Sequence, residues 1–389
     1  MSAVMPTYAR IDIAFERGEG PYLYATDGRR YLDFATGIAV NTLGHCHPHL
    51  VAALGEQAAK LWHCSNLYRI PEQERLAERL CAHSFADKVF FCNSGAEAME
   101  GVIKIARRYH HQSGHPERWR LIAFEGAFHG RTLATLAAGG NQKALAGFDP
   151  PVEGFDHVAF GNANEVRAAI TGHTGAILVE PIQGEGGIRP ADTRFLKDLR
   201  AIADEYGLLL LFDEVQTGVG RTGKLFAYEW HGVAPDVMGL AKGLGGGFPV
   251  GAVLATDAAA AAMTPGTHGS TFGGNPLAVA AANAVLDVLL EDGFLKRVGA
   301  LGKALAKRVG DVAARHGDVI ELVRGQGLML GMRVRATPAD LVAAMRERGV
   351  LVVAAADNVV RMLPPLNIEQ SHVEEAAGAL EAACAGLGK

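Results

Sequence analysis

The sequence predicts an α/β protein: a mainly parallel sheet flanked by helices, joined to a smaller α+β domain. Four short apolar runs, KVFFC at 88–92, WRLIAF at 119–124, GAILVE at 175–180 and LLLLF at 208–212, are separated by helix-length stretches. Buried parallel strands joined by crossover helices read this way. Beyond residue 275 the pattern changes to a long Ala/Leu/Val helix at 276–290, a second helix reaching 316, and then short strands and helices. The chain has 389 residues, 49% hydrophobic and 20% charged, which is the composition of a folded globular protein with length for about two or three domains.

In order along the chain, YLYATDGRRYLDF places two short strands around Asp27-Gly28, a dipeptide that supplies positive φ at a hairpin turn. Stretches 48–62 and 71–84 each open on proline, which a first helical turn tolerates because its N–H is unpaired anyway. The four apolar runs and their helices follow. No internal repeat and no low-complexity linker interrupts them.

Charge and processing signals exclude several function classes. With 37 basic and 42 acidic residues the net charge is −5, so nothing draws the chain to a phosphate backbone or an anionic membrane. Neither nucleic acid nor membrane is an expected partner. The first twenty residues lack the apolar core of a signal peptide, no stretch of 18 residues is free of charge and breaker, and the five cysteines form no CxxC pair. Free thiols in the cytoplasm are expected. The 48 glycines exceed the usual ~7% and indicate many sharp turns or close backbone approaches.

Ligands of such sheets bind beyond the carboxyl ends of the strands, and the residues there are polar and glycine-rich. Ser94, after KVFFC, can cap the next helix, whose free N–H groups make a phosphate site; a plain cap without ligand is the alternative. Asp213 ends LLLLF, where a buried carboxylate needs a cationic partner. Lys242 stands in LAKGLGGGFPVG, and taken alone would be a solvated surface charge. Together they supply what pyridoxal 5′-phosphate requires: a carboxylate for the pyridine nitrogen, an amine to bind the aldehyde, and a helix N-terminus for the phosphate. EGAFHGRT at 125–132 adds Phe128, to stack on the ring, and Arg131, to bind a carboxylate. GSTFGGN at 269–275 adds hydroxyl and N–H donors.

NSGAEA at Asn93, EGAFHGRT at Glu125, EPIQGEGG at Glu180, LFDEVQTGVGRTG at Leu211, LAKGLGGGFPVGA at Leu240 and HGSTFGGNP at His268 stand in this order. Nearly the whole chain resembles the class III (ω-) aminotransferases, fold-type I pyridoxal phosphate enzymes. The resemblance implies an N-terminal segment, 1–47, that joins the small domain, a large cofactor-binding domain at 48–280, and a C-terminal small domain at 281–389. It implies Lys242 as the covalent attachment point and general base, and Asp213 as the partner of the pyridinium. Phe128 and Val215 would cover the two ring faces, with His129 among the cofactor contacts and Gln216 near the phenolic oxygen. Ser94, Gly95 and Ala96 would bind the phosphate, and Thr271 would reach the phosphate of a neighbouring subunit, which makes the protein a homodimer. Arg131, with Ser270 nearby, would hold the carboxylate of an ω-amino donor. Arg361 would hold that of glutamate or 2-oxoglutarate, and Glu185 would mask Arg361 while the first substrate is bound. Ala96 departs from the threonine frequent in the family and loses a hydroxyl contact.

Three rivals are weaker. Residues 218–223 fit GxGxxG, but the glycines do not directly follow the strand and no amphipathic helix follows them, as a nicotinamide site requires. The cluster of His45, Cys46, His47 and His49 is too local to close a metal shell, and no metal is expected. A racemase, mutase or decarboxylase of the same class would have no use for a masked Arg361.

Overall fold

The computed structural model describes residues 3–388. Its main sheet has seven strands in the order Lys88–Cys92, Gly251–Ala255, Val237–Leu240, Leu209–Asp213, Thr174–Val179, Arg120–Phe124 and Phe155–Val158. From Val237–Leu240 to Phe155–Val158 every pairing is parallel. Gly251–Ala255 runs antiparallel to both its neighbours. The sequence reads as a glycine loop from 240 onward; in the structure a short turn over Lys242–Gly245 ends at Gly246, and the chain then reverses into this fully buried strand.

Helices pack onto the sheet through stripes three and four residues apart. Gly95–Gln112 buries Ala98, Met99, Val102, Ile105 and Ala106, and Ser94 Oγ caps it by accepting from Glu97 N at 3.2 Å. Thr193–Tyr206 starts at Asp192, whose Oδ1 accepts from Arg194 N at 2.7 Å, and stops at Gly207 with φ +64°, a left-handed C-cap that glycine adopts without a Cβ clash. Each fully buried Leu or Ile of that helix, Leu196, Leu199 and Ile202 among them, contributes about 1.5–3 kcal/mol. The helix expected over 48–62 ends at Ala58. Trp62 Nε1 donates to Ala58 O at 2.7 Å and Gln57 Nε2 to Leu61 O at 2.7 Å, so side chains satisfy carbonyls that a longer helix would use.

A second, antiparallel sheet orders Ile320–Gln326, Met329–Val334, Val359–Met362 and Val353–Ala355. A third begins with the N-terminal strands Phe15–Glu19, Tyr22–Ala25 and Arg30–Asp33, and is completed by Val350–Leu351, with Leu32 opposite Val350 and Asp33 opposite Leu351 in parallel register. Tyr22 and Arg30 both bond Glu375, so residues from the two ends of the sequence share one unit.

Immediately after Arg30–Asp33, the residues Thr36, Gly37, Ile38 and Ala39 all have positive φ, from +47° to +68°. A left-handed turn costs about 1–2 kcal/mol per non-glycine residue. It is held by Asp33 Oδ1, which accepts from Ala35 N and Thr36 N at 3.0 and 2.8 Å, and by Thr36 Oγ1, which donates to Leu363 O at 2.7 Å. Ala39 is thereby buried against Ile182, Ile188, Val359 and Leu363, the apolar cluster beside the cavity described next.

Candidate active site

A cavity of about 260 Å³ opens at the carboxyl ends of the central strands. Its lining includes Lys242, Asp213, Gly95, Ala96, Phe128, His129, Val215, Gln216, Arg131 and Glu185, brought together from five separate segments, and it adds Gly130 and Glu180. Ser94 stands behind it as the helix cap. Ser270 does not line it; its Oγ accepts from Asn93 Nδ2 at 3.2 Å and Gly273 N at 3.0 Å. Thr271 is exposed and outside it. Arg361 is fully buried beside Glu185.

Asp213 ends its strand with two partners. Its Oδ1 accepts from Val215 N at 3.0 Å, and its Oδ2 accepts from His129 Nδ1 at 2.7 Å. The cationic partner that a buried carboxylate requires is thus His129 as well as the nearby lysine. Burial acts to lower the His129 pKa, but the Asp213 bond and charge, with the charge of Glu180, leave it raised. His129 Nε2 is buried without a partner.

Lys242 is half-buried on the cavity wall, and desolvation lowers its amine pKa to about 8; the carboxylates of Asp213, Glu180 and Glu185 oppose this and Arg361 reinforces it. Roughly a tenth of such an amine is unprotonated at pH 7, against less than about a thousandth of an ordinary lysine, so it is far readier to act as a nucleophile or base. Glu180 and Glu214, both buried, are pushed up to about 7, chiefly by desolvation. Glu214 turns away from the cavity to accept from Ala227 N and Tyr228 N at 2.6 and 2.8 Å.

Two glycines shape the walls. A Cβ on Gly95 would lie 2.8 Å from Val215 Cγ1, so the bare residue lets the helix start approach the valine. Gly130 has φ +138°, and a Cβ there would lie 2.9 Å from that of Ala96.

Arg361 donates from Nη2 to Glu185 Oε2 at 2.8 Å and to Ala354 O at 2.9 Å, while its Nε and Nη1 are buried without partners among the described residues. Glu185 is 43% exposed and can leave by rotating its own side chain. Arg131 is exposed, with its guanidinium 5.7 Å from the Phe128 ring centroid.

The donor set fits pyridoxal phosphate. One wall has the unpaired N–H groups of an 18-residue helix at Gly95 and Ala96, another the carboxylate of Asp213, and a third the desolvated amine of Lys242; Gln216 Oε1 is a buried amide atom with no partner among the described residues. Phosphate, pyridinium and aldehyde each have a matching group.

A fold of this kind with this cavity defines an aminotransferase, and the chain belongs to the Aminotransferase class-III family, whose family model matches residues 3–384. It is 61% identical over 384 residues to acetylornithine aminotransferase 1 of Bradyrhizobium diazoefficiens, covering 99% of this chain and 95% of the relative. Among solved structures, the N-acetylornithine aminotransferase of Stenotrophomonas maltophilia superposes with TM-score 0.86 at 39% identity, covering 98% of this chain and 97% of the other. The ornithine aminotransferase of Toxoplasma gondii, whose active site is partly occupied by pyridoxal phosphate, superposes with TM-score 0.94 at 30% identity, covering 99% and 92%. The chain is a pyridoxal phosphate-dependent aminotransferase.

Glu180 and Gly130 were not singled out in the sequence. The criterion that finds Asp213, an acidic residue directly after a buried strand, also finds Glu180 after Thr174–Val179. Gly130 carried no signal beyond its place in EGAFHGRT.

Proposed function

We propose that the protein transfers the δ-amino group of N²-acetyl-L-ornithine to 2-oxoglutarate, giving N-acetyl-L-glutamate 5-semialdehyde and L-glutamate, in a ping-pong cycle of two half-reactions. The observation that carries this reading is the Glu185–Arg361 pair, in which Glu185 lines the cavity and covers the buried arginine behind it. One site must accept first an amine with no carboxylate beside it and then an amino acid with one. An arginine with two unspent donors, masked by a carboxylate that can rotate away, meets both demands. The acetylornithine-transferring names of relatives up to 61% identical support the substrate.

Pyridoxal phosphate, when bound, supplies the aldehyde that accepts the amine and the ring that takes up electrons. Lys242 would hold it covalently, and its Nζ would then take the proton from the amine-bearing carbon of the donor. Asp213, steadied by His129, would keep the pyridine nitrogen protonated. Gly95, Ala96 and the Ser94 cap would hold the phosphate, Phe128 and Val215 would confine the ring, and Gln216 would approach the phenolic oxygen. Arg131, with Ser270 nearby, would bind the acylornithine carboxylate, and Arg361 that of 2-oxoglutarate or glutamate.

A small domain shared by the N-terminal segment and the C-terminal part is supported by the pairing of Arg30–Asp33 with Val350–Leu351, but the expected boundary between 280 and 281 falls inside the helix Pro276–Leu289, which packs on Pro48–Ala58 and Pro71–Ala82 and so belongs with the large domain. A homodimer in which Thr271 completes the partner's phosphate site is supported by Thr271 lying exposed outside its own cavity. Leu67 at 88%, Tyr68 at 70% and Phe272 at 59% exposure give the same region of the chain an apolar surface to cover. Unpaired thiols at all five cysteines support the cytoplasm. No helix among the described residues is long and apolar enough to cross a membrane.

Cofactor absorption tests the substrate. Acetylornithine, ornithine, succinylornithine and 4-aminobutyrate, each added without a keto acid, should bleach the cofactor band, with acetylornithine fastest. Faster bleaching by one of the others would reassign the donor. Lys242 adds a pH dependence: its unprotonated fraction grows as pH rises through about 8. The rate at which cofactor-free protein takes up pyridoxal phosphate should therefore climb from pH 6 and level off above about 8. A rate still climbing at pH 10 would mean an ordinary amine.

A further inference from the structure

Glu180 is buried at the end of the Thr174–Val179 strand, lines the cavity, and forms no ion pair among the described residues. Its two oxygens instead hold two loops. Oε2 accepts from Phe128 N at 3.2 Å, and Oε1 accepts from Gly184 N at 3.3 Å. Gly184 directly precedes Glu185 at the tip of the hairpin formed by Ile182–Gln183 and Arg189–Pro190. The backbone of this tip is fastened on its far side too. Glu185 O accepts from Ala356 N at 2.9 Å, and Gly187 O accepts from Arg324 Nη2 at 2.8 Å.

Resting on the gating role read for Glu185, we propose that Glu180 is a positioning residue that anchors the backbone of the gate, so that Glu185 leaves Arg361 by side-chain rotation while the hairpin stays still. A carboxyl group suits the position because it offers two acceptor oxygens to two N–H donors, and those two bonds oppose the rise in its pKa that burial causes. The contact also ties the gate to the loop carrying Phe128, so the cofactor ring and the second-substrate site keep one geometry through both half-reactions. Loss of the anchor lets the hairpin drift, and Glu185 and Arg361 no longer meet in a single arrangement. The acylornithine half-reaction, which needs Arg361 masked by Glu185, loses more than the 2-oxoglutarate half-reaction, which needs Glu185 out of the way.

Glu180→Gln tests this, because the amide turns one acceptor into a donor facing an N–H. The readout is the ratio of kcat/KM for 2-oxoglutarate to kcat/KM for acetylornithine, measured on cofactor-loaded enzyme. Loss of one of the carboxyl hydrogen bonds that hold the mask in place predicts a rise of about tenfold in that ratio. In a Glu185→Ala background the same substitution should leave the ratio unchanged, since the residue it acts through is gone. A fall in the ratio, a change equal in both backgrounds, or equal losses in both half-reactions would make Glu180 merely structural and overturn the proposal. If Glu185→Ala alone left the ratio untouched, the gating reading would fall instead, and the anchoring proposal with it. Should Glu180→Gln not accumulate as folded protein, deuterium uptake at the Gly184 amide of the wild-type holoenzyme decides: slow exchange supports the anchor, and exchange as fast as an open loop refutes it.

Discussion

Lys242→Ala removes turnover, by about 10⁴-fold or more, because one side chain both holds the cofactor and moves the proton. The same variant should be no less stable than wild type when both are compared free of cofactor. The sign follows from burial. The folded-state pKa, about 8, lies below the ordinary lysine value of 10.5, so enclosing the charged amine opposes folding at every pH below about 8 and the penalty fades as pH rises toward 10.5. Alanine removes that penalty at neutral pH. Steady-state assay and thermal melting at pH 7 check the two halves. Normal turnover would end the catalytic assignment, and a large drop in melting temperature would mean that the lysine is a structural tie.

Arg361→Lys gives the second large effect, confined to one half-reaction. Arginine offers Nε and Nη1, two buried donors without protein partners, while Nη2 is held by Glu185 and Ala354. Lysine at this depth offers no planar pair of donors and tends to shed its proton. Two charge-assisted bonds to the 2-oxoglutarate carboxylate would be lost, and kcat/KM for that substrate should fall by about 10²-fold or more. The first half-reaction, followed by cofactor absorbance with acetylornithine alone, should change little. Equal loss in both would place Arg361 outside the second-substrate site.

Much of this architecture was legible because it rests on local pattern. The strand ending in Asp213 is a run of leucines and a phenylalanine with no polar interruption, and it is the fourth of seven strands. Its acid could be placed at the ligand end of the sheet from that alone. Gly251–Ala255 was not legible, since GAVLA follows four glycines among residues 243–247 and its antiparallel direction depends on a reversal that sequence does not encode as an apolar run. The partner of Asp213 was legible as a requirement but not as a contact: His129 lies 84 positions earlier, and only the sheet brings the two within 2.7 Å. Glu180 stayed hidden for a related reason. An acid beside proline in EPIQGEGG carries no hint that both its oxygens accept backbone N–H groups from two different loops.

The pairing of Arg30–Asp33 with Val350–Leu351 also sets an order of events during synthesis. Leu32 leaves the ribosome long before Val350, its partner 318 positions later. At about 5–20 residues per second the early strands wait on the order of 15–60 seconds with one edge open. Edge strands in that condition invite pairing with other chains. The exposed side of the waiting hairpin is charged, with Arg17, Glu19, Asp27, Arg29 and Arg30 all at the surface, which is the composition that keeps an unfinished edge from finding the wrong neighbour.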